Sequence, residues 1–165
     1  MNIHMNRKAA LSLLVMLIAV LLAGPAEAGS MPVVTADKTY FDVKSGLHIL
    51  EGNVRIEIRN RVITAGQAKV SMGSFEVWGS GGVTVTQGDI FFSGDSVYVY
   101  GHQDRADIDG GVYFKRTGLE ISADRVQFNW RSKLATFNGN VHVNQNGNTW
   151  TADSLTYNVN ANTIL

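Results

Sequence analysis

Carboxylates recur in this chain at a fixed interval. Asp37, Asp95, Asp124 and Asp153 stand at multiples of 29 residues from one another, and Gly66 fills the remaining place in the series. Two carboxylates at one place can share acid and base work, whereas copies spread along a chain at one per interval form no pair. Glycine at 66 indicates instead a position that needs a permissive backbone or an Asx-type turn. The segment Asp107-Ile108-Asp109-Gly110-Gly111 has the start of a calcium loop, but it lacks the third spaced oxygen ligand and the distal glutamate. His48, His102 and His142 are too scattered to act together as ligands, and no cysteine is present to complete a zinc site. His48 occupies a place filled elsewhere by Val77, Ala106 and Ala135, which predicts that it faces an interior. No Gly-x-Ser-x-Gly turn, phosphate loop or zinc-protease motif follows residue 28. The residues therefore predict no enzyme, no metal and no cofactor.

The spacing that removes the catalytic reading reveals the architecture. Gly52-Asn53-Val54, Gly81-Gly82-Val83, Gly110-Gly111-Val112 and Gly139-Asn140-Val141 begin 29 residues apart each time. A second series runs in step: Thr35-Ala36-Asp37, Thr64-Ala65-Gly66, Ser93-Gly94-Asp95, Ser122-Ala123-Asp124 and Thr151-Ala152-Asp153. Such self-similarity marks a repeat architecture. Between the anchors apolar residues alternate, as in Val54 and Ile56 or Val141 and Val143, the period of a strand with one covered face.

In the second series the apolar phase slips by one residue. Ile63 and Ala65 share a phase, yet Ala68 and Val70 do not continue it. A slip of one would exchange the two faces unless a bulge absorbs it, so bulges are expected at Asp37, Gly66, Asp95, Asp124 and Asp153. Each repeat carries two turn signals, one near Lys44-Ser45-Gly46, Gly73-Ser74 or Arg131-Ser132, the other near Asn60, Gly88-Asp89, Gly118 or Asn146-Gly147. Two turns per repeat leave two strands of about 10 to 12 residues, near the upper limit for strands. A meander of long antiparallel strands with inherent twist folds over on itself, which predicts an all-β, antiparallel β-jelly-roll or flattened open barrel built from tandem 29-residue repeats. A parallel β-helix scaffold is the rival architecture with such a period, and strand direction separates the two.

The N-terminus reads as an export signal over residues 1–28. Arg7 and Lys8 precede an apolar run from Ala9 to Ala23, and Ala26 and Ala28 are the small pair before a cleavage point after Ala28. An uncleaved anchor is the alternative, although the run is shorter than the roughly 20 residues of a spanning helix. Removal of Arg7, Lys8 and Glu27 from 14 basic and 14 acidic side chains leaves 12 and 13. That interspersed, near-neutral balance argues against a nucleic-acid partner. Without cysteine no disulfide staples residues 29–165, and stability rests on the sheet and its core.

Four stretches carry a family resemblance: Ala36-Asp37-Lys38-Thr39-Tyr40-Phe41-Asp42, Leu50-Glu51-Gly52-Asn53-Val54-Arg55-Ile56, Ser122-Ala123-Asp124-Arg125-Val126-Gln127-Phe128 and Phe137-Asn138-Gly139-Asn140-Val141-His142-Val143. In this order and spacing the chain resembles the LptA family, the OstA-like periplasmic proteins of lipopolysaccharide transport, across residues 33 to about 160. The resemblance implies an OstA-like β-jelly-roll over residues 29–165 that shields the acyl chains of lipopolysaccharide between the inner and outer membranes. It also implies partners: an LptC-like inner-membrane protein, an LptD-like outer-membrane protein, and further copies of the chain stacked head to tail. Each methylene of an acyl chain contributes about 0.8 kcal/mol of aversion to water, so such a cargo needs continuous apolar cover.

On that resemblance the inward residues expected to contact lipid are Phe41, Val54, Ile56, Val83, Val85, Val112, Phe114, Phe128, Val141 and Val143. Terminal strands are expected to be unpaired edges able to add a partner's strand, with contacts from Val33, Val34 and Ala36 at one end and Leu155, Tyr157 and Val159 at the other. An LptC-like component held by an uncleaved helix is the alternative station on the same route.

Overall fold

The computed structural model describes residues 33–165. The expected export signal and its cleavage point lie outside the described residues. Eleven strands follow in order: β1 (Val33–Thr35), β2 (Lys38–Asp42), β3 (Leu47–Ile58), β4 (Arg61–Ser71), β5 (Glu76–Gln87), β6 (Ile90–Tyr100), β7 (Arg105–Arg116), β8 (Leu119–Asn129), β9 (Leu134–Gln145), β10 (Asn148–Asn158) and β11 (Thr163–Ile164). From β3 to β10 each is 11 or 12 residues long, and each pairs antiparallel with the next. Antiparallel pairing removes the β-helix. The sheet is open, with β1 and β2 both paired to β3 at one edge and β11 paired to β10 at the other.

Turns alternate between the two margins of this sheet, at 59–60, 88–89, 117–118 and 146–147 on one side and 43–46, 72–75, 130–133 and 159–162 on the other. The remaining connection is a single 3-10 turn at Gly101–Gln103, closed by Asp104 in the left-handed region.

Every long strand is crossed near its middle by a register shift. Between β3 and β4 the shift falls between Glu51 and Val54, between β7 and β8 between Asp109 and Val112, and the same recurs at each pairing through β9 and β10. The level is the one expected, but the extra residue lies across from the expected place. Two residues of the odd-numbered strand, Gly52-Asn53, Gly81-Gly82, Gly110-Gly111 or Gly139-Asn140, oppose the single residue Gly66, Asp95, Asp124 or Asp153 of a neighbour. Both residues of each pair have positive φ, +74° and +47° at Gly52 and Asn53 and +77° and +47° at Gly139 and Asn140. Glycine, and to a lesser extent asparagine, accept that region, which is why the motif reads Gly-Asn or Gly-Gly.

The aspartates brace this crease. Asp37 Oδ2 accepts the Asn53 amide at 2.9 Å, and Asp124 Oδ2 accepts the Asn140 amide at 2.9 Å. A Cβ built on Gly52, Gly110 or Gly139 would collide with the carboxylate of Asp37, Asp95 or Asp124. At the fourth crossing both partners are glycine, and a Cβ on Gly66 would stand 3.1 Å from the Gly81 Cα.

The sheet folds along this line of bulges into two facing layers. The first holds β2, the early halves of β3, β5, β7 and β9, and the late halves of β4, β6, β8 and β10; the second holds β1 and the complementary halves. Ring contacts cross between them, Phe114 of the second layer lying 6.0 Å from Phe137 and 5.3 Å from Tyr157 of the first. The core is the space between the layers, where Leu50, Val54, Val70, Val112, Ile121, Val126, Phe137, Val141 and Tyr157 are almost fully buried.

Candidate functional site

The apolar interior is the feature of this molecule that a function could use. Val54, Ile56, Val112, Phe114, Val141 and Val143 are buried in its central cluster, Val85 and Phe128 are partly buried against it, and Val83 is buried. The alternation along β3, β5, β7 and β9 places them there, and the paired left-handed residues let those strands cross the crease without losing phase. Ile121, Phe137 and Leu155 join them in the same cluster.

Phe41 is the exception. Its register opposite His48 puts it on the inward face, but 49% of it is exposed. Among the described residues no strand lies beyond β2 at that edge to cover the inward face. The Phe41 ring leans on His48, with centroids 5.0 Å apart, and His48 is only partly buried.

At the other edge Trp150 stands opposite Val143, on the inward side, and is 39% exposed. Inward-phase aromatics thus emerge at both ends of the roll. Of the residues expected at partner edges, Val33 is exposed and Val34, Ala36 and Val159 are partly buried against the core. The Leu155 and Tyr157 side chains lie in the core, at 5% and 0% exposure. The chain turns at 159–162 and returns as β11, where Ile164 pairs with Tyr157. β11 pairs only with Tyr157 and Asn158, so among the described residues the β10 edge has no further strand along 148–155.

Sequence reasoning missed an aromatic group on the outer face of the first layer. Trp78 and Tyr98 have centroids 5.0 Å apart, Tyr98 and Tyr100 stand edge to face at 4.0 Å, and the Arg105 guanidinium lies 4.2 Å from the Tyr100 centroid. Their shared outward phase on neighbouring strands was the signal. Tyr98 donates to Glu76 at 2.8 Å. Desolvation, reinforced by the Glu76 carboxylate, pushes the Tyr98 phenol up to about 12. Hydrogen bonds from Ser74 and then Tyr98 hold the Glu76 carboxyl below its usual range. Burial likewise lowers Arg61, whose Nε donates to Gln87 at 2.8 Å.

At the β10 edge of the second layer a trough of about 430 Å³ is lined by polar residues, among them Tyr113, Glu120, His142 and Thr151, together with Val143 and Trp150. Among the described residues no group of three or more His, Asp and Glu side chains gathers as a metal site, and Asp37 and Asp124 are engaged at the crease.

A family model described as LptA/(LptD N-terminal domain) LPS transport protein matches residues 62–163. The chain belongs to this family. No curated protein matches the sequence. Among solved structures it is similar to LptH of Pseudomonas aeruginosa, described as the LptA homologous periplasmic component of the conserved lipopolysaccharide transport device. Identity is 16% and the TM-score 0.53, over 64% of this chain and 80% of that one. At that identity the likeness bears on fold: an open, creased antiparallel sheet of the LptA jelly-roll type. The family match places the chain in lipopolysaccharide transport.

Proposed function

We propose that this chain is a periplasmic carrier that holds the acyl chains of lipopolysaccharide between its two layers and passes them on toward the outer membrane. The observation that carries the reading is an apolar interior between two layers of an open sheet, in a chain of this transport family. Val54, Ile56, Val83, Val85, Val112, Phe114, Phe128, Val141 and Val143 supply the lipid-facing surface, with Phe41 at one mouth. An export signal cleaved after Ala28 delivers the protein to the periplasm, where the LptH relative is described as acting.

The same reading assigns the sheet edges to partners. Val33, Val34 and Ala36 at one edge, and Val159 with the Asn148–Ala152 edge at the other, take an LptC-like protein, an LptD-like protein or another copy of the chain by strand addition. A row of unpaired N–H and C=O groups is a template for such pairing.

Site-specific photocrosslinking from position 114 in cells tests the carrier. An adduct containing lipopolysaccharide is expected, because Phe114 touches Phe92, Phe137 and Tyr157 at the centre of the interior. A folded, exported protein that gives no lipid adduct there or from Val85 refutes it.

A further inference from the structure

We propose that Arg116 is a latch that ties the free margins of the two layers together and so controls how readily the interior opens to lipid. The inference rests on the carrier reading of that interior. Arg116 ends β7, and two strands of the sheet separate β7 from β10, so no ladder hydrogen bond connects them. Yet Arg116 Nη1 donates to the Tyr157 hydroxyl at 3.0 Å and to the Val159 carbonyl at 2.8 Å. Tyr157 in turn donates to Asn162 at 2.6 Å. Asp89, from the neighbouring hairpin, stands 3.4 Å from Arg116 Nε and accepts the Thr117 N–H at 3.3 Å. These bonds span from a turn margin of the second layer to one of the first, across the line where the folded sheet is open.

The repeat shows that this contact is no by-product of the fold. Equivalent places to Arg116 hold Ile58, Gln87 and Gln145, and equivalent places to Tyr157 hold Phe41, Val70, Val99 and Phe128. Arginine and the hydroxyl-bearing ring each occur once in their series, and they occur where they meet. The Arg116 side chain is only 17% exposed. A guanidinium so desolvated needs its partners, and Arg offers several donors in a fixed fork to hold them. Tyr157 keeps its ring in the core and only its hydroxyl at the seam. Parting the layers therefore breaks directional, charge-assisted bonds at this point, whereas between Phe114 and Phe137 it separates apolar surfaces that an acyl chain covers equally well.

The test uses the full chain, which has no cysteine of its own. Spin labels at Thr117→Cys and Ala161→Cys report the width of the seam, and uptake of fluorescent lipopolysaccharide from micelles reports loading. Arg116→Gln and Tyr157→Phe are expected to shift the label distances outward and to speed uptake by up to about tenfold, the ratio that corresponds to one charge-assisted hydrogen bond. Lys115→Gln, which removes a charge paired with Glu120 on the outer face, is expected to match the parent in both. Unchanged distances or unchanged uptake in the two seam variants overturn the latch. If Arg116→Gln does not fold, Tyr157→Phe decides, since phenylalanine already fills that place at 41 and 128. A parent protein that takes up no lipopolysaccharide overturns the carrier reading instead, and the label distances still decide whether the seam is tied.

Discussion

Asparagine at position 111 is expected to stabilise the protein. Gly111 has φ +54°, close to the +47° of Asn53 and Asn140, and a Cβ added there meets nothing within 4 Å. Its neighbour Gly110 stands against the Asp95 carboxylate as Gly52 does against Asp37 and Gly139 against Asp124. An amide at 111 therefore finds in Asp95 the acceptor that Asn53 and Asn140 use at 2.9 Å. A net hydrogen bond contributes about 0.5 to 1.5 kcal/mol, and the exposure of this carboxylate puts the gain near the low end. Replacing glycine in a compatible conformation adds about 0.5 kcal/mol by restricting the unfolded chain. The sum is about 1 kcal/mol, or about 3 to 5 °C in Tm for a domain of this size. Urea unfolding of Gly111→Asn, alone and with Asp95→Ala, measures it as a double-mutant cycle. Gly82→Asn is the control, because its counterpart Gly66 offers no carboxylate. If Gly111→Asn is neutral or destabilising, or gains as much without Asp95, the bracing role given to the repeated aspartates is wrong.

Two further outcomes follow from burial and electrostatics. Phe137→Ala, at 0% exposure, is expected to cost about 3 to 5 kcal/mol, while Phe41→Ala, at 49%, costs under about 1 kcal/mol; denaturant unfolding of the two reads the difference directly. Tyr98, with its phenol pushed up to about 12, should give an ultraviolet absorbance titration step above the usual phenol range. Because its folded value exceeds the usual phenol value, the stability it contributes is complete below about pH 10 and is lost as pH rises through its folded value. Glu76→Gln should bring the Tyr98 titration down, and no movement would remove Glu76 as a cause.

The strands and their direction were legible because alternation and turn residues are local, and the 29-residue period multiplies each signal several times. The side of the bulge was not. A phase slip along β4 or β10 is only relative, and it fixes the level of a shift without saying which strand carries the extra residue. The clue lay in the other series, since consecutive Gly-Asn or Gly-Gly residues are what two left-handed positions in a row require. End effects were also hidden. The repeat averages over neighbours, but among the described residues Phe41 has none beyond β2, and Tyr157 gains one because Asn160-Ala161-Asn162 turns the chain back into β11. The Arg116 and Tyr157 contact joins strands that are not adjacent in the sheet, so no local pattern announces it.

A core that is already packed is compatible with carrying lipid, and the reason lies in the kind of force that closes it. Burial of apolar surface is non-directional and nearly indifferent to the identity of the apolar partner. On the carrier reading, Val141, Ile121 and Phe137 lose little when the opposite layer is replaced by acyl chains, because surface kept from water by one is kept from water by the other. The backbone ladders run within each layer, so parting the layers leaves them intact, and the crease at Gly52-Asn53 and its repeats provides the line about which they move. What resists opening is then the directional bonding that crosses the seam, and Arg116 makes two such bonds. A lipid whose apolar surface is too small to fill the parted layers would leave that surface wet at about 25 cal/mol per Å² while still breaking the seam. A cargo with several acyl chains offsets the broken bonds, and a single short chain does not. On the carrier reading, the sandwich thereby discriminates by the area a lipid covers.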